Sequence, residues 1–189
     1  MKEICVDLDN VLARTDEVMR SIIYSFSRGR VNLRYEDVIR FNYYECTDNK
    51  GEYITNEEWK FIHNEFISNR LNQVKPITGA SRALETLSKK FKIYVVTTRP
   101  EKGLLVTKKW LKANNFNSYM LLPSEHRWKH KLGIHFDIAI DDDLEQALLF
   151  QENGTMPILL AHPWNKLSAG SKIVRLPTWN DIVSFLLQN

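Results

Sequence analysis

A chain of 189 residues that is 43% hydrophobic can form one domain with a full core, and its net charge of +3, from 26 basic and 23 acidic residues, is too balanced to imply nucleic-acid binding by itself. Its two cysteines, Cys5 and Cys46, form no CxxC pair, so neither a disulfide framework nor a zinc knuckle is suggested, and a reducing, cytoplasmic setting is favoured. No apolar run approaches the length of a membrane span, and Asp7 and Asp9 break the early apolar run that a signal peptide would need.

The first element is the apolar run Ile4-Cys5-Val6, which passes straight into Asp7-Leu8-Asp9-Asn10 and reads as a buried parallel strand ending in two acids. Residues i and i+2 of a strand share a face. Two adjacent carboxylates in a crevice repel unless a cation joins them, and a hard divalent ion with oxygen ligands, typically Mg2+, suits them. A helix is predicted from Asp16 to Arg28, with Thr15 as its cap, Val18, Ile22 and Phe26 on one face, and Gly29 as its stop. Residues 30–75 lack a good parallel-strand run and are dense in aromatics, from Tyr35 to Phe66. The stretch from Tyr43 to Tyr53 reads as a loop, and Asn56 to Leu71 as a helix with Trp59, Ile62, Phe66 and Ile67 on one face. The segment 15–75 is therefore read as a small helical cap inserted after the first strand, and 1–14 with 76–189 as the core.

From Lys75 onward the pattern alternates. A helix over 78–90 precedes a strand at Ile93–Val96, ending in Thr97-Thr98-Arg99-Pro100. A helix to about Asn114 precedes a strand at Tyr119–Leu122, and a basic, part-helical stretch from Ser124 to Leu132 follows. A strand at Ile138–Ile140 ends in Asp141-Asp142-Asp143, with Asp143 placed as the cap of a helix over 144–152 that stops at Gly154. Pro157–Ala161 is a fifth strand, 173–176 a short last one, and 178–187 a terminal helix with Thr178 and Asp181 as a capping pair. Repeated strand–helix units predict a three-layer α/β/α fold, a Rossmann-like parallel sheet with helices on both faces.

In a parallel sheet the strand ends carrying Asp7 and Asp9, Thr97 and Thr98, and Asp141 and Asp142 lie on one edge. With a lysine from the basic stretch, this is the composition of a metal-assisted phosphoryl-transfer site: carboxylates for the metal, hydroxyl, N–H and ammonium donors for phosphate oxygens. His126 and His130, at i and i+4, have no evident third ligand and read as surface histidines near such a site.

Asp7-Leu8-Asp9-Asn10-Val11-Leu12, Thr97, a lysine and Ile140-Asp141-Asp142 resemble the four-part signature of the haloacid dehalogenase (HAD) superfamily of phosphatases. Within it the chain is similar to the cytosolic 5'(3')-deoxyribonucleotidases. Pro76-Ile77-Thr78-Gly79-Ala80, Thr97-Thr98-Arg99-Pro100, His162-Pro163-Trp164-Asn165, Trp179-Asn180-Asp181 and the short insert all point the same way. The resemblance implies an Mg2+-dependent phosphomonoesterase, a 5'-nucleotidase or deoxyribonucleotidase. Asp7 would be the nucleophile, Asp9 the general acid and base, and Thr97 and Thr98 phosphate ligands. Asp142 would bind Mg2+, helped by Asp141, with Asp7 and the Asp9 carbonyl. Lys131, ten residues before Asp141, is preferred over Lys129 as the motif lysine on spacing similar to that family. Arg99 either touches substrate phosphate or decorates a helix start. Phe41, Tyr43 and Tyr44, entering a loop, are the candidates to stack on a nucleobase. Asn165 resembles a family loop residue near the site, with Trp164 beside it as packing. The expected partner is a small phosphate ester, a nucleotide first, with no membrane or nucleic acid; a homodimer is compatible with this. Alternatives are the same chemistry on a sugar phosphate or on nucleic-acid ends, and a non-catalytic module on the same fold.

Overall fold

The computed structural model describes residues 1–40, 42–167 and 171–188. Six parallel strands form one sheet: β1 (Glu3–Asp7), β2 (Lys92–Thr97), β3 (Met120–Pro123), β4 (Ile138–Asp141), β5 (Met156–Leu160) and β6 (Val174–Leu176), in the order β3-β2-β1-β4-β5-β6. The order reverses beside β1, so the crevice of this open sheet lies beyond the C-terminal ends of β1, β2 and β4.

The central strands are buried on both faces, and the period of two sorts their side chains. Ile4 and Val6, Ile93 and Val95, and Ile138 and Ile140 share the larger core cluster with helices α3 (Ala80–Leu87), α4 (Glu101–Ala113) and α6 (Trp179–Gln188). Cys5, Tyr94, Val96 and Ala139 pack on the other face against Phe136 and against Phe150 of α5 (Leu144–Glu152). Asp7 and Asp141 continue the Cys5 and Ala139 rows, so both carboxyl groups belong to the α5 face.

The segment between β1 and α3 holds α1 (Thr15–Phe26), α2 (Asn56–Glu65) and short 3-10 turns at Tyr35–Asp37 and Tyr43–Glu45. The chain leaves and re-enters the core side by side: Ala13 bridges Pro76, Arg14 N–H donates to Lys75 O at 2.8 Å, and Ile77 N–H to Leu12 O at 2.8 Å. Its buried residues, among them Val31, Leu33, Ile54 and Ile62, run continuously into the cluster under the sheet.

Four local expectations change. Helix α1 begins at Thr15, but that hydroxyl bonds Asp9, and Asn10 Oδ1 accepts the buried N–H of Asp16 at 2.8 Å. A residue at the strand end thus terminates the helix ladder, because the intervening loop brings it closer than the local candidate. The helix expected over 56–71 stops at Glu65, giving way to a π turn at Phe66–Arg70 and a 3-10 turn at Leu71–Gln73. Widening the helix there turns Phe66, Ile67 and Leu71 all inward. Gly103 in α4 fits this turn: a Cβ there would lie 3.1 Å from Leu71 Cδ1. The basic stretch forms only a 3-10 turn, Lys129–Lys131. The expected loop from Tyr43 to Tyr53 begins with the tight turn Tyr43–Glu45, which buries Tyr43. Among the described residues no helix is long and apolar enough to cross a membrane.

Candidate active site

Asp7 closes β1 next to β2 and β4, with Asp7 opposite Val96 and Val6 opposite Ile140. The Asp7 and Asp141 carboxyl groups therefore stand beside each other on the α5 face. Lys129 reaches between them, its Nζ 2.5 Å from Asp7 Oδ1 and 2.8 Å from Asp141 Oδ2, with the side chain only 6% exposed. This corrects the preference for Lys131, whose Nζ lies 4.7 Å over the ring of exposed Trp128. In a tight 3-10 turn two residues apart point in different directions, so one lysine turns in and the other out.

Asp141 spends its remaining oxygen on the chain: Oδ1 accepts the N–H groups of Asp142 at 2.9 Å and Asp143 at 3.0 Å. Asp142 Oδ2 accepts from Trp164 Nε1 at 3.0 Å and Asn10 Nδ2 at 3.3 Å. Ligand oxygens of Asp7, Asp141 and Asp142 all lie within 4.8 Å of one another. Burial, with Asp141 and Asp9 nearby, pushes the Asp7 carboxyl up to about 7 against the pull of Lys129. Burial, then Asp7 and Asp141, raises Asp142 well above the carboxylate range. Lys129 is itself held above its usual value, since Asp141 and Asp7 outweigh the burial that would neutralise it. Ionised together, the three buried carboxylates would outnumber the one ammonium, which is why Asp7 and Asp142 are pushed upward. An oxygen-ligated divalent cation fits this donor set.

Asp9 lies just past the strand, 25% exposed, before Asn10, whose φ of 60° turns the chain. Arg99 grips its carboxylate with both sides of the guanidinium fork, Nε to Oδ2 at 3.0 Å and Nη2 to Oδ1 at 2.7 Å, and the Thr15 hydroxyl also donates to Oδ1. Burial would raise Asp9, but Arg99 and Thr15 outweigh it and hold the group below the usual carboxylate value. Neither earlier reading of Arg99 anticipates this pairing.

Thr97 is fully buried on the Ile93–Val95 face, and its Oγ1 accepts the Arg99 N–H at 3.2 Å. Exposed Thr98 instead borders a small cavity with Asp7, Asp9, Lys129, Asp141 and Asp142. Thr98 also borders a neighbouring cavity of about 120 Å³ lined by Asp9, Met19, Tyr43, Trp59, His63, Phe66 and Arg99. The rings of this cavity come from α2 and the turns around it. Tyr43 is only partly available: its hydroxyl donates to Asp16 Oδ1 at 2.9 Å and its ring stacks on Trp59 with centroids 5.2 Å apart. Tyr44 packs against the core cluster, and Phe41 lies outside the described residues.

The His162–Asn165 loop singled out in the sequence supports the acids, together with Tyr35, whose part in it the sequence did not suggest. His162 Nε2 bonds the Asn10 carbonyl at 2.7 Å, and its Nδ1 pairs with the Tyr35 hydroxyl at 2.8 Å. A carbonyl only accepts, so Nε2 carries the proton and Tyr35 donates to Nδ1. Burial pushes His162 down to about 4, leaving it neutral. Its ring stacks on Trp164 at 4.3 Å, which aims the indole N–H at Asp142. Asn165, fully buried, donates to Asp142 O at 3.0 Å and Leu160 O at 2.7 Å, so it fastens this loop to the strand ends. His130 lies against Gln146, its Nδ1 3.4 Å from Gln146 Nε2, and against the edge of Phe150.

A family model described as "5' nucleotidase, deoxy (Pyrimidine), cytosolic type C protein" matches residues 1–189. The chain is 21% identical over 194 residues to the protein named "Putative nucleotidase YqfW" of Bacillus subtilis, covering 100% of this chain and 95% of that one. Its fold is similar to a hydrolase from Pseudomonas syringae (TM-score 0.63, 18% identity, 100% of this chain and 99% of that chain). It is also similar to a HAD family hydrolase from Deinococcus radiodurans solved with bound phosphate and sodium (TM-score 0.64, 15% identity, 100% and 96%).

Proposed function

The chain belongs to the 5' nucleotidase, deoxy (pyrimidine), cytosolic type C family of HAD phosphoric monoester hydrolases, and from that premise we propose that it is an Mg2+-dependent cytosolic nucleotidase acting on nucleoside monophosphates through an aspartyl-phosphate. The observation that carries this reading is the placement of Asp7, paired with a buried lysine inside an acid cluster and bordering the same cleft as an aromatic cavity.

In this reading a carboxylate oxygen of Asp7 attacks phosphorus as the bond to the leaving oxygen breaks. Lys129 holds Asp7 in place and balances charge at the phosphoryl group. Thr98, with Thr97 fixing the turn behind it, offers hydroxyl and N–H donors to the phosphate oxygens. Asp9, an anion in the resting site, takes up a proton as the phosphate anion enters beside it, gives that proton to the leaving oxygen, and then takes one from the water that frees phosphate from Asp7. Asp7, Asp142 and the Asp9 carbonyl, with Asp141 beside them, would hold Mg2+. When bound, the ion polarises the phosphoryl oxygens and offsets the buried negative charge. Residues 15–75 act as a cap hinged where Ala13 meets Pro76, and selectivity arises from its aromatic cavity.

A phosphate-release screen over nucleoside monophosphates and sugar phosphates tests the reading. We expect the highest kcat/KM with nucleotides, loss of activity in EDTA and its return with Mg2+. Preference for sugar phosphates over every nucleotide would sink the nucleotidase assignment.

Trp59 is the ring we expect a base to meet. Base–aromatic stacking is worth about 1–3 kcal/mol, so Trp59→Ala should lower kcat/KM for nucleotides by roughly five- to 150-fold. Hydrolysis of p-nitrophenyl phosphate should be nearly unchanged. Equal loss with both substrates would mean that Trp59 only supports the cap.

A further inference from the structure

We infer that Arg99 is a positioning residue, whose guanidinium fixes the Asp9 carboxylate in plane and direction rather than binding the substrate phosphate. The inference rests on the reading of Asp7 and Asp9 given above and adds to it the group that sets the geometry of the second acid.

The guanidinium is engaged on three sides. Nε and Nη2 make the paired bonds to Asp9, and Nη1 donates to Thr107 Oγ1 at 2.9 Å. Thr107 is itself fully buried on α4, so the anchor for the third side belongs to the core. The Phe66 ring lies 5.8 Å from the guanidinium carbon, and the Arg99 side chain is only 2% exposed. Nothing in this arrangement turns the fork toward the small cavity beside Asp7.

A parallel two-bond fork fixes a carboxylate's orientation, whereas a lysine ammonium would supply only a point charge. A buried ion pair adds little to stability over a well-packed apolar pair, so stability alone is a poor reason for this one. Orientation is a better reason. Asp9 follows the strand end by two residues and is not held by the ladder, so its carboxyl group needs an outside brace. Thr15 supplies one contact from α1, and Arg99 supplies two from beyond β2. Where Asp9 points decides where the leaving oxygen must lie to receive a proton as its bond to phosphorus breaks and the Asp7–phosphorus bond forms. Leaving groups that depart readily as anions need this help least.

The test uses the full-length protein with Mg2+ and three variants, Arg99→Gln, Arg99→Lys and Thr107→Val. Three quantities are measured: kcat for the best nucleoside monophosphate of the screen, kcat for p-nitrophenyl phosphate, and Ki for inorganic phosphate. Misplacement of a reacting group can lower the rate by about a hundredfold. We expect Arg99→Gln to lose about tenfold or more with the nucleotide, far less with p-nitrophenyl phosphate, and to keep the wild-type Ki. Arg99→Lys should restore little, and Thr107→Val should show the same selective pattern more mildly. A Ki raised about tenfold, with equal losses on both substrates, would place Arg99 on the phosphate and overturn the inference. Unchanged kinetics in every folded variant would overturn it too. Should Arg99→Gln not fold, Thr107→Val decides alone: selective loss supports the inference, and uniform loss or none refutes it. Failure of the underlying reading shows elsewhere, as turnover that survives Asp7→Asn.

Discussion

Asp7→Asn is expected to abolish turnover while leaving a folded and, without metal, more stable protein. An amide oxygen is a poor nucleophile toward phosphorus, and the substitution removes one anionic group from the acid cluster. Packing changes little. Asn and Asp are nearly isosteric, Lys129 keeps its 2.8 Å bond to Asp141, and the amide oxygen can still accept from it. The stability gain follows from linkage. In the folded chain the Asp7 carboxyl is pushed up to about 7 from its ordinary value of 3.8. Between those values the folded state holds a proton that the unfolded state has lost. Metal-free wild-type stability therefore falls as pH rises through this window, and the contribution is full only below it. The variant lacks the penalty, so its Tm should exceed that of metal-free wild type increasingly from about pH 4 to pH 7. Mg2+ should raise the wild-type Tm more than the variant's. Ordinary turnover in purified Asp7→Asn would remove the aspartyl-phosphate mechanism, whatever the melting curves show.

The sequence conveys the sheet and the sheet edge well, because both depend on short-range patterns. Apolar runs ending in Asp7, Thr97 and Asp141 mark strands and their C-terminal ends, and parallel order then puts those ends together. The strandless stretch between β1 and α3 is legible as a break in that alternation. Direction is less legible. Whether Lys129 or Lys131 faces Asp7 depends on a single 3-10 turn, which sequence spacing along a basic stretch does not encode. The same holds for Arg99, whose destination depends on Thr107 eight residues further along and on Asp9 ninety residues earlier. The Tyr35–His162–Trp164 support beneath Asp142 joins parts of the chain 127 residues apart: the His162–Asn165 stretch is legible as a motif, but Tyr35, its partner, has none. Tyr43 shows the opposite error: an aromatic in what reads as a loop is a buried tie between α1 and α2. Loops here are packed by their own aromatics, so composition alone did not separate cap core from cavity wall.

Lys129→Ala is the second large effect, and paired with Lys131→Ala it decides which lysine serves the chemistry. Lys129 is a preorganised charge: 6% exposed, held between Asp7 and Asp141, and kept protonated by both. Removing a preorganised charge partner of the reacting group costs roughly 10²–10³ in rate. The variant should also lose stability, because truncating one member of a buried ion cluster leaves the others unpaired, here about 3–5 kcal/mol for a fully broken pair. Part of that loss should be absent at low pH, where Asp7 takes up a proton and no longer needs the ammonium. Lys131 sits over Trp128 at the surface, where a cation–π contact is worth about 0.5–1 kcal/mol, so Lys131→Ala should leave kcat within a few-fold of wild type. Steady-state rates under saturating Mg2+ and urea melts at two pH values would measure both effects. A large loss of kcat in Lys131→Ala with a mild one in Lys129→Ala would mean that the 128–132 turn rearranges when substrate binds, and that the inward lysine of the resting structure is not the one that meets phosphate.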